Sequence, residues 1–365
     1  MDNDALHLFE ETLARYNRER YDAVQWSDYG RLPPGHAPER WAELQAMGCF
    51  ELLQPEDDAR AAPLADLLPL YAAAGEALWR EPLATVFAEP VAVIAQLADL
   101  DQRRTLLDGL ISGERPLGYA HRETADGAAD AIATTATAST AASGVGWRLS
   151  GDKAMVIGAD VCAGFLVSAI DAARGAPAMF LVDAAVPGLQ LQRYRCIDDG
   201  IAADLHFDQV PAQRLCDGAA AINVANARGT ILAAAEALGI MRGANRDSTE
   251  YLRERRQFGQ SLLGFQALQH RLVEMLMRQR ECEALVAAVA EAFDHASPTL
   301  PRQVLVLRVA VARALRHITR EAVQLHGGMG VTQALRIGRY YRRALMLDSL
   351  HGTADQALEA LSEHS

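Results

Sequence analysis

The chain has 365 residues, 50% of them hydrophobic, and a formal net charge of -12 at pH 7. A chain of this length and composition can bury a large core and is expected to form two or three domains of a soluble globular protein. The negative charge, with no block of Lys or Arg, excludes a nucleic-acid surface, which needs clustered cations to displace counterions. Small molecules or other proteins are the expected partners.

The N-terminal residues predict a cytoplasmic protein. Residues 1–4 carry no positive charge of the kind that begins a signal peptide, and no uninterrupted apolar run is long enough to cross a bilayer. Membrane insertion is therefore not expected. The five cysteines are widely spaced and form no CxxC pair, which predicts buried thiols rather than disulfides or a metal site.

Residues 1–115 are predicted to form a helical domain. Apolar residues recur there at helical spacing, for example at Leu64, Leu67, Leu68 and Tyr71. Prolines end or kink helices, so this segment should consist of several short helices. The six prolines expected to divide it are Pro33, Pro34, Pro55, Pro63, Pro82 and Pro90.

Residues 116–218 are predicted to form an antiparallel β domain. Short apolar runs at 147–150, 164–169, 178–182 and 204–207 are separated by Gly, Asp and Pro turn signals. Residues 133–143 are rich in Ala, Thr and Ser, a composition that also fits a linker. The recurring Thr favours a strand.

Residues 219–365 are predicted to form a four-helix bundle, because helical periodicity returns in long segments at 231–256, 265–293 and 303–324. The order of helices, strands and bundle is that of an α+β protein and excludes a doubly wound dinucleotide fold. The glycines of QLHGGMG at 324–330 agree, since they do not match GxGxxG and follow a helix.

The segment HGTADQ at 351–356 predicts a corner between two helices. Gly352 is a plausible end for a helix that stops near Leu350, and Thr353 with Gln356 has the form of a capping box. The first N–H groups of the new helix are expected to form an electropositive site suited to a flavin or phosphate oxygen.

Two of these C-terminal segments resemble the signature segments of acyl-CoA dehydrogenases. The first is RRQFG at 255–259 with LGFQ at 263–266, and the second is QLHGGMG at 324–330 with Tyr341-Arg342 and Gly352-Thr353 behind it. The three-region order agrees, so the resemblance covers essentially the whole chain. It implies an FAD-dependent oxidoreductase that desaturates an acyl-CoA thioester between its α and β carbons, without a metal. It also implies a homo- or hetero-tetramer, with electron-transfer flavoprotein as the electron acceptor.

The resemblance also implies which residues contact FAD. Arg255 would lie on the pyrophosphate and Phe258 on the adenine side of a neighbouring subunit's FAD, because a guanidinium donates two hydrogen bonds to a phosphate. Taken singly, Arg255 is typical of a solvated helix end, Phe258 of a core, and a glycine pair of a helix C-cap. Their joint spacing favours the flavin. The full implied set is Arg255, Phe258, Gln266, Gln324, Gly327, Gly328 and Thr353.

The family's catalytic base is missing from its usual position. Most members carry a glutamate directly before the Gly-Thr pair, where it removes the α proton while hydride passes to flavin N5; here that residue is His351. A minority carry it at the position of Gly229, which has no side chain to act as a base. One interpretation makes His351 the base, because imidazole titrates near neutrality. A second interpretation is that a related subunit supplies the glutamate. A third is that the fold serves another flavin reaction, as in flavin monooxygenases and nitroalkane oxidases. The remaining interpretations are that the subunit is non-catalytic and only holds flavin, or that His351 merely ends a helix.

The middle region also departs from the usual pattern. HRET at 121–124 stands where typical members have Thr-Glu-Pro, and MVI at 155–157 replaces Trp-Ile-Thr, which puts flavin contacts from the β domain in doubt. The segment GDKAMVIGA at 151–159 and the Asp198-Asp199-Gly200 turn resemble the small subunits of two-subunit acyl-CoA dehydrogenases of the pimeloyl-CoA type. This resemblance ranks pairing with a related chain above a monooxygenase.

Overall fold

The computed structural model describes residues 3–21, 38–53, 63–81, 83, 87–124, 132–141, 144–332 and 335–363. The predictions at Pro33, Pro34, Pro55 and Pro82 lie outside these residues. The helices of the described part are α1 (Asn3–Arg20), α2 (Pro38–Ala46), α3 (Leu64–Ala77), α4 (Glu89–Ile94), α5 (Leu100–Ile111), α6 (Gly218–Glu254), α7 (Gln266–Asp294), α8 (Leu300–His326), α9 (Ile337–Leu350) and α10 (Ala354–Glu363).

The chain divides into two compact units that are each discontinuous in sequence. The first comprises Met1–Arg31, Pro63–Trp79 and Thr230–Ser365, and the second comprises Leu32–Ala62 and Arg80–Gly229. The N-terminal helices are therefore shared, α1 and α3 in the first unit and α2, α4 and α5 in the second. The domain boundaries proposed from sequence, after residues 115 and 218, lie close to the points where the chain changes from helices to strands and from strands to helices. They stay predictions.

The first unit is a helical bundle in which α6, α7, α8 and α9 supply the long elements. The predicted helices at 231–256, 265–293 and 303–324 correspond to α6, α7 and α8. The bundle packs through regularly spaced apolar side chains that are fully or almost fully buried, which is what the helical period predicts. Examples from successive helices are Ile240, Met241, Met275, Val286, Leu307, Ile318 and Tyr340.

Helix α3 joins this bundle through a close backbone crossing with α6. A Cβ on Gly75 would lie 1.9 Å from the Glu236 carbonyl oxygen, and a Cβ on Gly239 would lie 1.8 Å from that of Ala72. Only glycine allows two helix backbones to approach this closely. The start of α3 is fixed by Asp294, whose Oδ1 accepts a hydrogen bond from the Leu64 N–H at 2.9 Å.

The second unit is built on a seven-stranded sheet within the described residues. Its strand order is β1-β4-β2-β3-β7-β5, with β6 on β7; because β5 also pairs with β4, the path closes on itself. The strands are β1 (Leu117–Ala120), β2 (Thr135–Ala141), β3 (Gly144–Ile157), β4 (Gly164–Asp171), β5 (Ala176–Asp183), β6 (Leu189–Arg195) and β7 (Ile201–Asp217).

The sheet confirms the predicted β region and shows that it is mixed in direction. Strand β4 runs parallel to β1 and β2, and all other neighbours, including β4 with β5, pair antiparallel. Strand direction depends on long connections, which local apolar runs do not reveal. The Ala/Thr-rich segment at 133–143 contains strand β2, paired with β3 from Thr135 opposite Ser150 onwards.

The described helices include none that is both long enough and apolar enough to cross a membrane. Among the described residues, no cluster of His, Cys, Asp and Glu could hold a metal ion. All five cysteines are free thiols; Cys49, Cys162 and Cys282 are buried, whereas Cys196 and Cys216 are partly exposed.

Candidate functional site

A short hairpin follows α6 and presents Phe258 to solvent. Strands β8 (Arg256–Gln257) and β9 (Gln260–Ser261) form the hairpin, and the Arg255 N–H donates to the Tyr251 carbonyl at 2.9 Å. Phe258 at the tip is 86% exposed and has φ +52°. An exposed aromatic ring on left-handed backbone costs free energy in the isolated chain, which indicates a contact surface. The single-residue expectation that Phe258 is a core residue is wrong.

The glycines of the segment after α8 differ in whether backbone conformation or close packing requires the absence of a side chain. Gly327 ends the helix with φ +58°, a positive value that favours glycine, and its N–H donates to the Gln324 carbonyl. A Cβ on Gly330 would lie 2.7 Å from the Val323 carbonyl oxygen. Gly328 has neither constraint among the described residues: its φ is not positive, and no side chain or distant backbone of the described part lies within 4 Å of the space that a Cβ would occupy. The described part of the fold therefore does not require glycine at 328.

An aromatic stack brings the hairpin and this glycine segment together. The Tyr251 and His326 rings lie 4.3 Å apart between centroids, at 25° between planes, and the Tyr251 hydroxyl donates to the His326 carbonyl at 3.5 Å. Burial lowers the pKa of His326, so the neutral ring donates its Nδ1–H to the Ala322 carbonyl at 2.8 Å. The last turn of α6 is thereby fixed to the last turn of α8.

The start of α7 lies at the same end of the bundle. The Arg271 Nε donates to Glu321 Oε2 at 2.5 Å, which ties the second turn of α7 to the last turns of α8. The structure thus gathers most of the predicted cofactor residues on one exposed end of the helices. These residues are Arg255, Phe258, Gln266, Gln324, Gly327 and Gly328, all of them exposed.

The chemistry of this exposed end fits a dinucleotide. A guanidinium can bind a diphosphate through two charge-assisted hydrogen bonds, two glutamine amides can bind polar ring or ribose atoms, and a phenyl ring can stack on adenine. The open space beside Gly328 lets a ligand or a second chain contact the backbone directly. These residues could hold the adenosine diphosphate part of FAD.

His351 and Thr353 lie on a separate turn. His351 caps the end of α9, Gly352 has φ +87°, and Thr353 directly precedes α10. The predicted capping box is present: the Thr353 N–H donates to Gln356 Oε1 at 2.8 Å, and the Gln356 N–H donates to Thr353 Oγ1 at 3.3 Å.

The same hydrogen bonds correct the expectation of an electropositive site at this helix start. Besides the two capping-box bonds, the Ala354 N–H faces Asp348 Oδ1 at 3.4 Å. Most of the first N–H groups are therefore satisfied within the chain, and a carboxylate lies beside them. A flavin contact at Thr353 remains a prediction, with fewer free donors than the sequence suggested.

His351 is half-buried and lines a narrow pocket of about 50 Å³. This volume admits only a few water-sized groups. Thr230, Arg308 and Asp348 line the same pocket and were not predicted from the sequence. The sequence signal that could have identified Arg308 is a charged residue between the core positions Leu307 and Val311. The lining residues are Thr230, Ala233, Ala234, Ala237, Arg308, Val311, Ala312, Leu315, Leu347, Asp348, His351, Gly352 and Ala354.

Gly229, the position where a minority of the family carries the catalytic glutamate, has no side chain that could act as a base. Gly229 is buried within α6, directly before the pocket residue Thr230. In the described part of this pocket, His351 and Asp348 are therefore the side chains able to accept a proton. Asp348 already forms a short hydrogen-bonded ion pair with Arg316, which leaves His351 as the candidate.

In the second unit, the departures from the family pattern form a structural network. The Lys153 ammonium donates to Glu123 Oε1 at 2.6 Å, to the His121 carbonyl at 3.1 Å and to Ser168 Oγ at 3.1 Å. Burial lowers the pKa of Lys153 to about 8, opposed by the hydrogen bond and charge of Glu123. Glu123 is therefore occupied inside the chain. Met155, in place of the family's tryptophan, has φ +55°.

The order of helices, a mixed sheet and a helical bundle is that of the acyl-CoA dehydrogenase fold. Residues 217–365 match the family described as "Acyl-CoA dehydrogenase, C-terminal domain". A variant of the Tcur3481-Tcur3483 steroid ACAD superposes with a TM-score of 0.88 at 28% identity, covering 99% of this chain and 97% of that chain.

Two curated relatives extend the similarity. The 3-(aryl)acrylate reductase of Clostridium sporogenes is 26% identical over 268 residues, which cover 70% of each protein. A probable acyl-CoA dehydrogenase, fadE25 of Mycobacterium leprae, is 25% identical over 358 residues, 94% of this chain and 84% of the relative. The chain is therefore similar to acyl-CoA dehydrogenases over most of its length, and residues 217–365 match that family's C-terminal domain.

Proposed function

We propose that this chain is a subunit of an FAD-dependent oxidoreductase that desaturates an acyl-CoA thioester between its α and β carbons, and that it works with a related partner chain. The observation that carries the proposal is Gly328. It is an exposed signature glycine that the chain's own packing and backbone do not require, beside a hairpin whose aromatic tip is 86% exposed. Both features are explained if a ligand and a second subunit cover this end of the bundle.

The assembly is supported by the separation of the two candidate surfaces. Arg255, Phe258 and Gln324 lie where the Tyr251–His326 stack joins two helix ends, whereas His351 lines the pocket that starts at Thr230. In the proposed tetramer, the exposed end of one subunit contacts FAD that a neighbouring subunit also holds. The similar steroid ACAD is named as a pair, Tcur3481-Tcur3483, which supports a partner of a different sequence.

FAD, when bound, supplies the hydride acceptor for the β carbon. The protein must then supply a base for the α proton, and a glutamate is absent from both positions where the family carries one, His351 and Gly229. We propose that the partner chain provides the glutamate-bearing active site and that this chain provides cofactor contacts. Electrons then leave through an electron-transfer flavoprotein, and the complex works in the cytoplasm.

The test is to purify the chain alone and together with a paralogue that retains the glutamate. We expect the mixture to retain FAD and to lose its oxidised-flavin absorbance when an acyl-CoA is added without oxygen. The chain alone should show no such bleaching. Full activity of the chain alone would refute the need for a partner, and no bleaching in either sample would refute the oxidoreductase itself.

A second candidate keeps the same reaction but uses His351 as the base in a homotetramer. Its support is the position of His351 on the pocket, beside the Gly-Thr turn. A neutral imidazole accepts a proton at its free ring nitrogen, and a positioned general base contributes about 10²–10⁴-fold to rate. His351→Gln should then lower turnover by about that factor without loss of FAD. Unchanged turnover would exclude this candidate.

A further inference from the structure

Arg308 on α8 reaches the turn that carries His351 and Thr353. A Cβ at Gly352 would lie 2.4 Å from Arg308 Nη2 and 3.4 Å from Arg308 Cζ. The guanidinium thus fills the space that a side chain at position 352 would need. Because real Cβ contacts are not this short, a substituted residue 352 and Arg308 could not both keep their places.

The other neighbour of Gly352 is also fixed. The same Cβ would lie 3.0 Å from Gln356 Oε1, which already accepts the Thr353 N–H in the capping box. Gly352 has φ +87°, which L side chains rarely adopt. Arg308, Gln356 and the backbone of the turn therefore form one packed cluster around a single glycine Cα.

We infer that Arg308 is a positioning residue: its guanidinium packs on Gly352 and holds the turn that presents His351 to the pocket and Thr353 to the start of α10. The inference rests on the proposed function for the chemistry that this turn serves. Its geometry involves only this chain, so it can be tested without FAD, acyl-CoA or a partner.

The charge of Arg308 gives the inference a second consequence. Of the side chains that line the pocket in the described part of the chain, Arg308 on α8 is the cation, and Asp348 on α9 is the anion, already paired with Arg316. The lining residues of α6 and α10 carry no charge. A cation that lines the same pocket as an imidazole disfavours the protonated ring, so Arg308 should favour the neutral form of His351.

The first test is NMR titration of the His351 ring in the full chain, assigned by the signal that His351→Gln removes. Arg308→Gln should raise the pKa of His351 by about one pH unit, the size expected for loss of a nearby charge. Arg308→Lys retains the charge and should leave the titration close to that of the parent chain. Arg313→Gln, an exposed arginine of the same helix that does not line this pocket, is the matched control. An unchanged titration in Arg308→Gln would overturn the electrostatic role.

The second test is a double-mutant cycle on thermal midpoints. Gly352→Ala should lower the midpoint, and it should lower it less in an Arg308→Ala background, because the 2.4 Å approach to Nη2 is then absent. The residual loss reflects the positive φ. Equal losses in both backgrounds would overturn the packing role. If Gly352→Ala does not fold, recovery of folding in the double variant supports the inference. If neither Gly352→Ala nor the double variant folds, the NMR titration decides.

Discussion

Gly328 and Gly330 are two residues apart and differ in what their backbone meets. A Cβ on Gly330 would contact the Val323 carbonyl oxygen at 2.7 Å, whereas a Cβ on Gly328 would have no such neighbour within 4 Å in the described part of the chain. The sequence motif shows two glycines of equal standing. The structure assigns packing to one and leaves the other open to a ligand or partner.

This difference predicts opposite outcomes for two alanine substitutions. Gly330→Ala should destabilise the chain by about 1–3 kcal/mol, as expected for overpacking. Gly328→Ala should change stability by no more than about 0.5 kcal/mol and should weaken FAD binding. Urea denaturation and flavin fluorescence titration measure the two effects. Intact FAD binding in Gly328→Ala would contradict the role given to Gly328.

A second residue-scale prediction concerns Glu89, a buried carboxyl at the start of α4. Burial raises the pKa of Glu89 from 4.5 to about 8, opposed by a backbone hydrogen bond. Because the folded-state pKa is the higher one, the folded chain binds more protons between these values. The contribution of Glu89 to stability is thus fully present below pH 4.5 and is lost as pH rises through about 8.

Glu89→Gln keeps the neutral shape at every pH and should remove this pH dependence. The variant should match the parent chain at the acid end of this window and exceed its stability at pH 8 by about 3–5 kcal/mol. Urea midpoints across the window measure this. Parallel curves for the two chains would show that Glu89 is ionised in the folded state, contrary to the account.

At the scale of elements, the hairpin at the end of α6 is the part that the isolated chain least explains. Phe258 is 86% exposed and makes an edge contact with Phe265, with ring centroids 6.1 Å apart. A residue in this state contributes little to the fold of one chain. We therefore expect the Phe258 side chain to contribute to the free energy of binding a ligand or a second subunit that covers it.

Phe258→Asn tests this role, because asparagine tolerates the left-handed backbone that Phe258 adopts. The stability of the isolated chain should change by less than about 0.5 kcal/mol. Assembly mass and FAD content of the co-purified complex should fall. Leu100→Ser, which replaces another exposed apolar residue (65%), is the matched control and should leave both unchanged. An assembly that tolerates Phe258→Asn would show that the hairpin is not an interface.

Local signals in the sequence predicted several elements well. The capping box of Thr353 and Gln356, strand β2 and the three long helices depend on neighbours within a few residues, and the structure contains them. The parallel pairing of β4 with β1 and β2 depends on chain crossings, and no local pattern encodes it. The Tyr251–His326 stack likewise joins residues distant in sequence.

The candidate site was predictable to a similar extent. Joint motif spacing named the candidate cofactor residues, and the structure gathers them at one end of the bundle apart from Thr353; their contact with FAD stays a prediction. The role of Arg308 could not be read from sequence, because its partner Gly352 comes from another helix end. The donors at the start of α10 were overestimated, because Asp348 lies beside Ala354 only in the folded chain.

The whole molecule combines an exposed candidate cofactor surface with a pocket that lacks the family's glutamate. The described structure offers His351 and a narrow pocket on one side, and Arg255, Phe258 and Gly328 on the other. Neither surface alone contains the parts that the family's reaction requires. The central claim is therefore that the base comes from a related partner chain.

The most direct measurement is the rate of anaerobic flavin bleaching by acyl-CoA in two variants of the co-purified assembly. One replaces the partner's glutamate with glutamine, and the other carries His351→Gln in this chain. The account predicts a loss of at least about 10²-fold in the first variant, the size of a general-base contribution, and a rate near that of the parent assembly in the second. The opposite pattern, with bleaching abolished by His351→Gln and retained without the partner's glutamate, would contradict it.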